Sequence, residues 1–129
     1  MEITAVAAQT VGSNQDVLFT ATPVDGNCSI MHRQGSGITT LRGITSGQSR
    51  ARYRVVFGGN VAVPSTGTAG PITLAITLDG EPVGSATMIS TPGAVNLYNN
   101  IAASIFIDVP KGCCSQITVR NITSQAISI

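Results

Sequence analysis

Apolar and polar positions alternate in short runs along this chain, and the runs predict strands. "DVLFTATPV", "CSIMHRQ", "GITTLRGIT", "RARYRVVFGGNVAV", "GPITLAITLDG", "EPVGSATMIS", "NNIAASIFIDVP", "SQITVRNIT" and "QAISI" follow one another, and "EITAVAAQTV" alternates more weakly ahead of them. Most are bounded by Gly, Pro, Asn, Asp or Ser and are rich in β-branched residues, as strands are. "LDGEP" places an Asp-Gly pair between Leu78 and Pro82, the sequence of a tight hairpin turn, and "VDGN" at Val24 to Asn27 repeats the device. One segment, "TPGAVNLYNN" from Thr91 to Asn100, passes for a helical turn, and Pro92 and Gly93 exclude a long helix there. Eight or more short strands with no helix between them predict an all-β, antiparallel sandwich or barrel. There is no repeat of fixed period and no linker.

Composition sharpens this picture. The chain has 129 residues, enough for one domain with a real core. Charged residues make up 10%, well below the usual figure of about 25%, and the net charge is +1. Such a surface is made of hydroxyls and amides, or is covered by other subunits, so an oligomer or assembly component is expected. The net charge argues against nucleic acid as a partner. No apolar run reaches the length of about 18 residues that spans a bilayer. "MEITAVAAQTVGSNQD" lacks the basic start and apolar run of a signal peptide, so disulfides are not the default expectation.

The candidate chemistry is sparse. His32 is the sole histidine, and pairing it with Cys28, Cys113 or Cys114 has no catalytic signature around it. A hydrogen-bonded strand histidine is the simpler reading. The carboxylates Glu2, Asp16, Asp25, Asp79, Glu81 and Asp108 form no spaced acid pair. Adjacent Cys113 and Cys114 do not have zinc-ligand spacing, and neighbouring α-carbons sit too close for a mutual disulfide. They read as a turn followed by a strand start, with one thiol pointing inward as a small hydrophobe. No catalytic residue, cofactor or metal site is expected, and the chain is read as a non-enzyme. The Asn-X-Ser/Thr matches at Asn27 and Asn121 read as chance.

The most pointed pattern is "SRARYRVVF". Arg50, Arg52 and Arg54 lie two apart, so a strand puts them on one face, opposite Ala51, Tyr53 and Val55. The stripe is either an ordinary solvated face or an interface with acidic groups on another subunit or a capsid. A nucleic-acid groove ranks behind both, because interleaved aromatics are nearly absent.

"ARYRVVFGGNVAVPSTGTAGPITLAITLDGEPVGSATMISTPGAV" and "FIDVPKGCCSQITVRNITSQAISI" resemble a group of small proteins from phages and prophages of Gram-positive gut bacteria. These are similar to the tumour-necrosis-factor and complement-like jelly roll. "RYRVVFGGNVAVP", "LAITLDGEP" and "VPKGCCSQITVRN" are the most telling pieces, and the paired cysteines are a habit of the group. The resemblance implies a jelly-roll β-sandwich over residues 15–129 that forms a homotrimer, with residues 1–14 as an N-terminal arm. It implies a virion structural protein, made in the bacterial cytoplasm and carried on the virion surface. Its role there would be capsid decoration, as a head auxiliary or head fibre protein. The partners would be a second and third copy and the major capsid protein or another virion protein. The alternative is a receptor- or glycan-binding fibre tip, in which Tyr98, Asn99 and Asn100 contact sugar.

Overall fold

The computed structural model describes residues 1–5, 7–24, 29–44, 47, 49–112 and 114–129. Asp25, Asn27, Cys28 and Cys113, which the sequence singled out, lie outside them, and the expected "VDGN" turn lies there in large part. The described residues are all-β, with no helix. The strands are β1 (Glu2–Thr4), β2 (Thr10–Val11), β3 (Ala21–Val24), β4 (Ile30–His32), β5 (Thr39–Arg42), β6 (Arg50–Val61), β7 (Ile72–Leu78), β8 (Glu81–Ser90), β9 (Asn99–Pro110), β10 (Cys114–Asn121) and β11 (Ile127–Ser128). The expected helical turn in 91–100 is instead a run of bends and turns that leads into β9. Pro92 removes a donor and Gly93 adds backbone entropy, so four helical hydrogen bonds have nothing to nucleate them.

All pairings are antiparallel. β4-β5-β10-β7-β8 form a five-stranded sheet, β6 pairs with β9 over twelve registered positions, β2 pairs with β11, and β1 pairs with β3. A bridge from Ala62 to Ser128 ties β11 to the end of β6. The inner faces of these sheets meet in a main core, in which Phe57 and Ile101 from β6 and β9 join Leu74 and Ile76 from β7 and Val119 from β10, with a smaller cluster of Leu41, Ile107 and Val109 beside it. This arrangement is compatible with a β-sandwich.

Local chemistry explains the main turns. Asp79 (φ 51°) and Gly80 (φ 89°) both take positive φ, which closes the β7–β8 hairpin with Leu78 opposite Glu81. Asp tolerates this region and Gly meets no Cβ penalty there, and the twist of such a turn matches that of the strands. The Asp79 carboxylate also accepts the Gln116 amide at 2.9 Å, so the turn is fastened to β10. Gly112 (φ 79°) lies where the chain leaves β9 for β10, which belongs to the other sheet. Lys111 N–H donates to the Ser49 carbonyl at 2.9 Å and Gly112 N–H to Gly43 at 3.2 Å, so the crossing is pinned.

"DVLFTATPV" becomes a strand only from Ala21; earlier, Asp16 and Phe19 make single bridges to Arg120 and Ser36. Val17 N–H donates to the Val119 carbonyl and Asn121 N–H to Gln15, so residues 14–17 take over along β10 where β5 leaves off. The segment 1–14 is also hydrogen-bonded within this chain: β1 joins β3, β2 joins β11, and Val11 is buried.

Candidate interface on the outer face of β6 and β9

Alternation along β6 decides which residues face out. Arg50, Arg52, Arg54, Val56, Gly58 and Asn60 are exposed, while Phe57 and Val61 are buried on the other face. The three arginines therefore share one face, as their spacing predicts. β9 supplies the matching outward positions, and the register fixes each neighbour: Arg52 opposite Asp108, Arg54 opposite Phe106, Val56 opposite Ser104, Gly58 opposite Ala102 and Asn60 opposite Asn100.

Three zones result along one face. At one end Asp108 receives two arginines. Arg52 Nε donates to its Oδ1 at 2.8 Å and Nη2 to its Oδ2 at 3.2 Å, a two-pronged contact, and Arg50 Nε stands 3.6 Å from Oδ2. The hydrogen bond from Arg52, helped by the charges of Arg52 and Arg50, holds the Asp108 carboxyl below the usual carboxylate range. The same bond raises Arg52 above its ordinary value. Both arginine side chains remain largely exposed, so this cluster adds little to the stability of the fold. Its geometry fixes where positive charge is presented.

In the middle, Phe106 is 70% exposed and Val56 64% exposed, beside Gly58, Ala102 and Ser104. Small residues make this part of the sheet flat, and a large exposed phenylalanine on a flat sheet is an apolar patch with no cover in this chain. A Cβ built on Gly58 meets nothing within 4 Å, and its φ is not positive. Neither the backbone nor the interior of this chain requires glycine at that position. At the far end Asn100 Nδ2 donates to Asn60 Oδ1 at 3.3 Å. Tyr98 is 51% exposed just before β9, and Asn99, half-buried, lies on the opposite face of the strand from Asn100. The three residues proposed for sugar contact thus stand next to one another in sequence, but they do not share a face.

Sequence reasoning missed Phe106 and Asp108 as members of this face. Asp108 lies 56 positions from Arg52. Only the register brings them together, and no local signal carries it.

The remaining candidates lie elsewhere. The His32 Nε2 sits 2.9 Å from the Ser36 carbonyl, and its ring meets Phe19 edge-on at 6.2 Å between centroids. This is a histidine hydrogen-bonded to the connection between β4 and β5, and Cys28 and Cys113 lie outside the described residues. Cys114 is an exposed free thiol opposite Arg42, and Cys113, the other candidate for an inward thiol, lies outside the described residues. The exposed side of β10 claims that position by alternation. Asn121 is fully buried and bonded to four backbone groups, so it is an internal brace. Among the described residues no group of three His, Cys, Asp or Glu side chains is placed to hold a metal ion. Among the described residues no helix is long and apolar enough to cross a membrane. No model of a known protein family matches the chain, and no curated protein sequence matches it.

Proposed function

We propose that this chain is a non-enzymatic structural protein of a phage virion, a jelly-roll subunit that assembles as a homotrimer and decorates the capsid. The observation that carries this reading is the outer face of β6 and β9. It joins a flat, uncovered apolar centre at Phe106 and Val56 to a cationic end at Arg50, Arg52 and Arg54. An apolar centre of this kind suits a second and third copy of the same chain, closing around a threefold axis. The cationic end holds three positive charges against the one negative charge of Asp108, which leaves it attractive to an acidic shell.

Strand order supports the jelly-roll part. The orders β4-β5-β10-β7-β8 and β2-β11, the latter bridged onto β6-β9, put the early strand β2 beside the last strand, β11. They also send the chain from one sheet to the other at nearly every connection, which is how two Greek keys are wound. The low charge of the chain fits burial in an assembly.

Mass photometry on the purified protein tests the first half: a trimer is expected, and a monomer at micromolar concentration with no larger species overturns it. Particle occupancy tests the second half. Replacing Arg50, Arg52 and Arg54 together by Ala should reduce the number of copies bound per particle and leave the melting temperature within a few degrees. Removing surface charges changes stability by about 0.5 kcal/mol, whereas a desolvated interface charge is worth about 2–5 kcal/mol of binding. Unchanged occupancy would return the stripe to an ordinary solvated face.

A further inference from the structure

β11 is flanked on both edges, and its two neighbours part just beyond it. It pairs with β2 on one side and with Ala62 on the other. Both contacts are antiparallel, so the space past Ile129 is bordered by residues preceding β2 and by residues preceding Ala62. Those residues line a cleft of about 790 Å³: residues 1–5, 7 and 8 on one side, and residues 53–60 on the other. The inner face of the other sheet forms the floor, with Val17, Phe19, Leu41, Ile76 and Val119.

Every residue from 53 to 60 lines the cleft, inward-facing and outward-facing alike. A strand presents consecutive residues to a space only along its edge, so the cleft runs beside the β6 backbone. Among the described residues, the β6 main chain hydrogen-bonds to β9 alone over Arg50–Val61. Interiors close-pack, and voids larger than a water molecule are few. A space of this size with an apolar floor and an unpaired strand edge is one strand wide in its logic, and a lipid chain would leave the edge amides and carbonyls unanswered.

We infer that this cleft is a slot for one β-strand, supplied by a partner polypeptide that inserts antiparallel to β6 in line with β11. This goes beyond virion decoration and does not depend on it. The register continues from Ser128 opposite Ala62. Inserted residues opposite Gly59, Phe57, Val55 and Tyr53 point to the floor, as Ile129 does opposite Val61, and the residues between them point out. The partner is therefore an extended segment of about eight residues, apolar at every second position, which adds a strand with main-chain bonds and buries four side chains.

The probe is a nine-residue peptide with Val and Thr alternating between terminal lysines. Its control has the same composition with the valines in one block. Amide exchange is read on the protein alone, with the peptide and with the control. A second protein carries eight further residues, Thr and Val alternating from Thr, placed directly after Ile129 so that it fills its own slot. The alternating peptide should slow exchange about tenfold at the slot-facing amides of residues 53–60, which move from an open edge to a ladder. The control should not, and the extended protein should melt higher and ignore the peptide. Unchanged exchange, or protection elsewhere, overturns the slot. Protection of those amides before any peptide is added also overturns it, because the edge is then already filled by this chain or by a second copy.

Discussion

Asn121 ties separate parts of the chain together through one buried amide. Its Nδ2 donates to the carbonyls of Val11, Gly12 and Gln125, at 3.0, 3.2 and 3.0 Å, and its Oδ1 accepts the Thr123 amide at 2.9 Å. Replacing it by Ala removes all four bonds, while the Gly12 carbonyl keeps the Gln15 amide as a partner. Asn121→Ala should therefore cost about 2–4 kcal/mol in urea unfolding, among the larger effects for a single polar residue. A cost below about 0.5 kcal/mol would mean that water replaces the amide. Cys114 makes the contrast: exposed on β10, it should accept serine with a change of about 0.5 kcal/mol or less. Asp108 governs acid behaviour on the outer face. Its folded pKa is depressed, so its contribution is present above the unfolded carboxylate value of about 3.9 and is lost as pH falls through the lower folded value. Asp108→Asn should flatten the acid limb of a melting-temperature profile below about pH 4 relative to the unaltered protein. An identical slope in both would show that the Arg52 contact does not persist in solution.

At the scale of the element, Gly58 offers a clean test of the outer face. A Cβ there meets nothing within 4 Å and needs no change of φ, and a leucine side chain raises the centre of the face between Val56 and Asn60. Gly58→Leu should abolish trimer formation in sedimentation and leave the melting temperature of the subunit unchanged or higher. Gly84→Leu on β8, equally unobstructed and exposed, should leave assembly intact. Equal effects from both would place the interface elsewhere. The same scale shows what the sequence could tell. The β7–β8 hairpin was legible because Asp79-Gly80 states its own backbone geometry, and the arginine stripe was legible because period two needs no partner. Residues 16–19 were not legible as bridges, since alternation reports which side is apolar and is silent on which strand lies beside it. Asp108 and Phe106 joined the stripe only through a pairing across more than fifty positions. The cleft beside β6 had no sequence signature at all, because an unpaired edge reads the same as a paired one.

For the whole molecule, one core makes stability depend on both sheets together. Ile76, 1% exposed, packs in the cluster that joins β6 and β9 to β7 and β10. Ile76→Ala should cost about 2–5 kcal/mol, and in one cooperative transition, since the smaller cluster of Leu41, Ile107 and Val109 is joined to this one through Val55 and Ile105. Two separated transitions would contradict a single folding unit.

The pairing of β2 with β11 sets the timetable of synthesis. Gln9 and Ile129 exchange backbone hydrogen bonds, 3.2 and 3.0 Å long, and the Ser13 hydroxyl donates to the Thr123 carbonyl across 110 positions. During synthesis Val11 and Val17 emerge more than a hundred residues ahead of Val119 and Ile127, which share their cluster. Closure must wait for residues 119–128, so folding is late and slow, in the millisecond-to-second range of sandwiches built on distant contacts. The outer face of β6 and β9 is set rigidly only once that closure has occurred. If copies associate through that face, as proposed above, association follows closure and does not precede it.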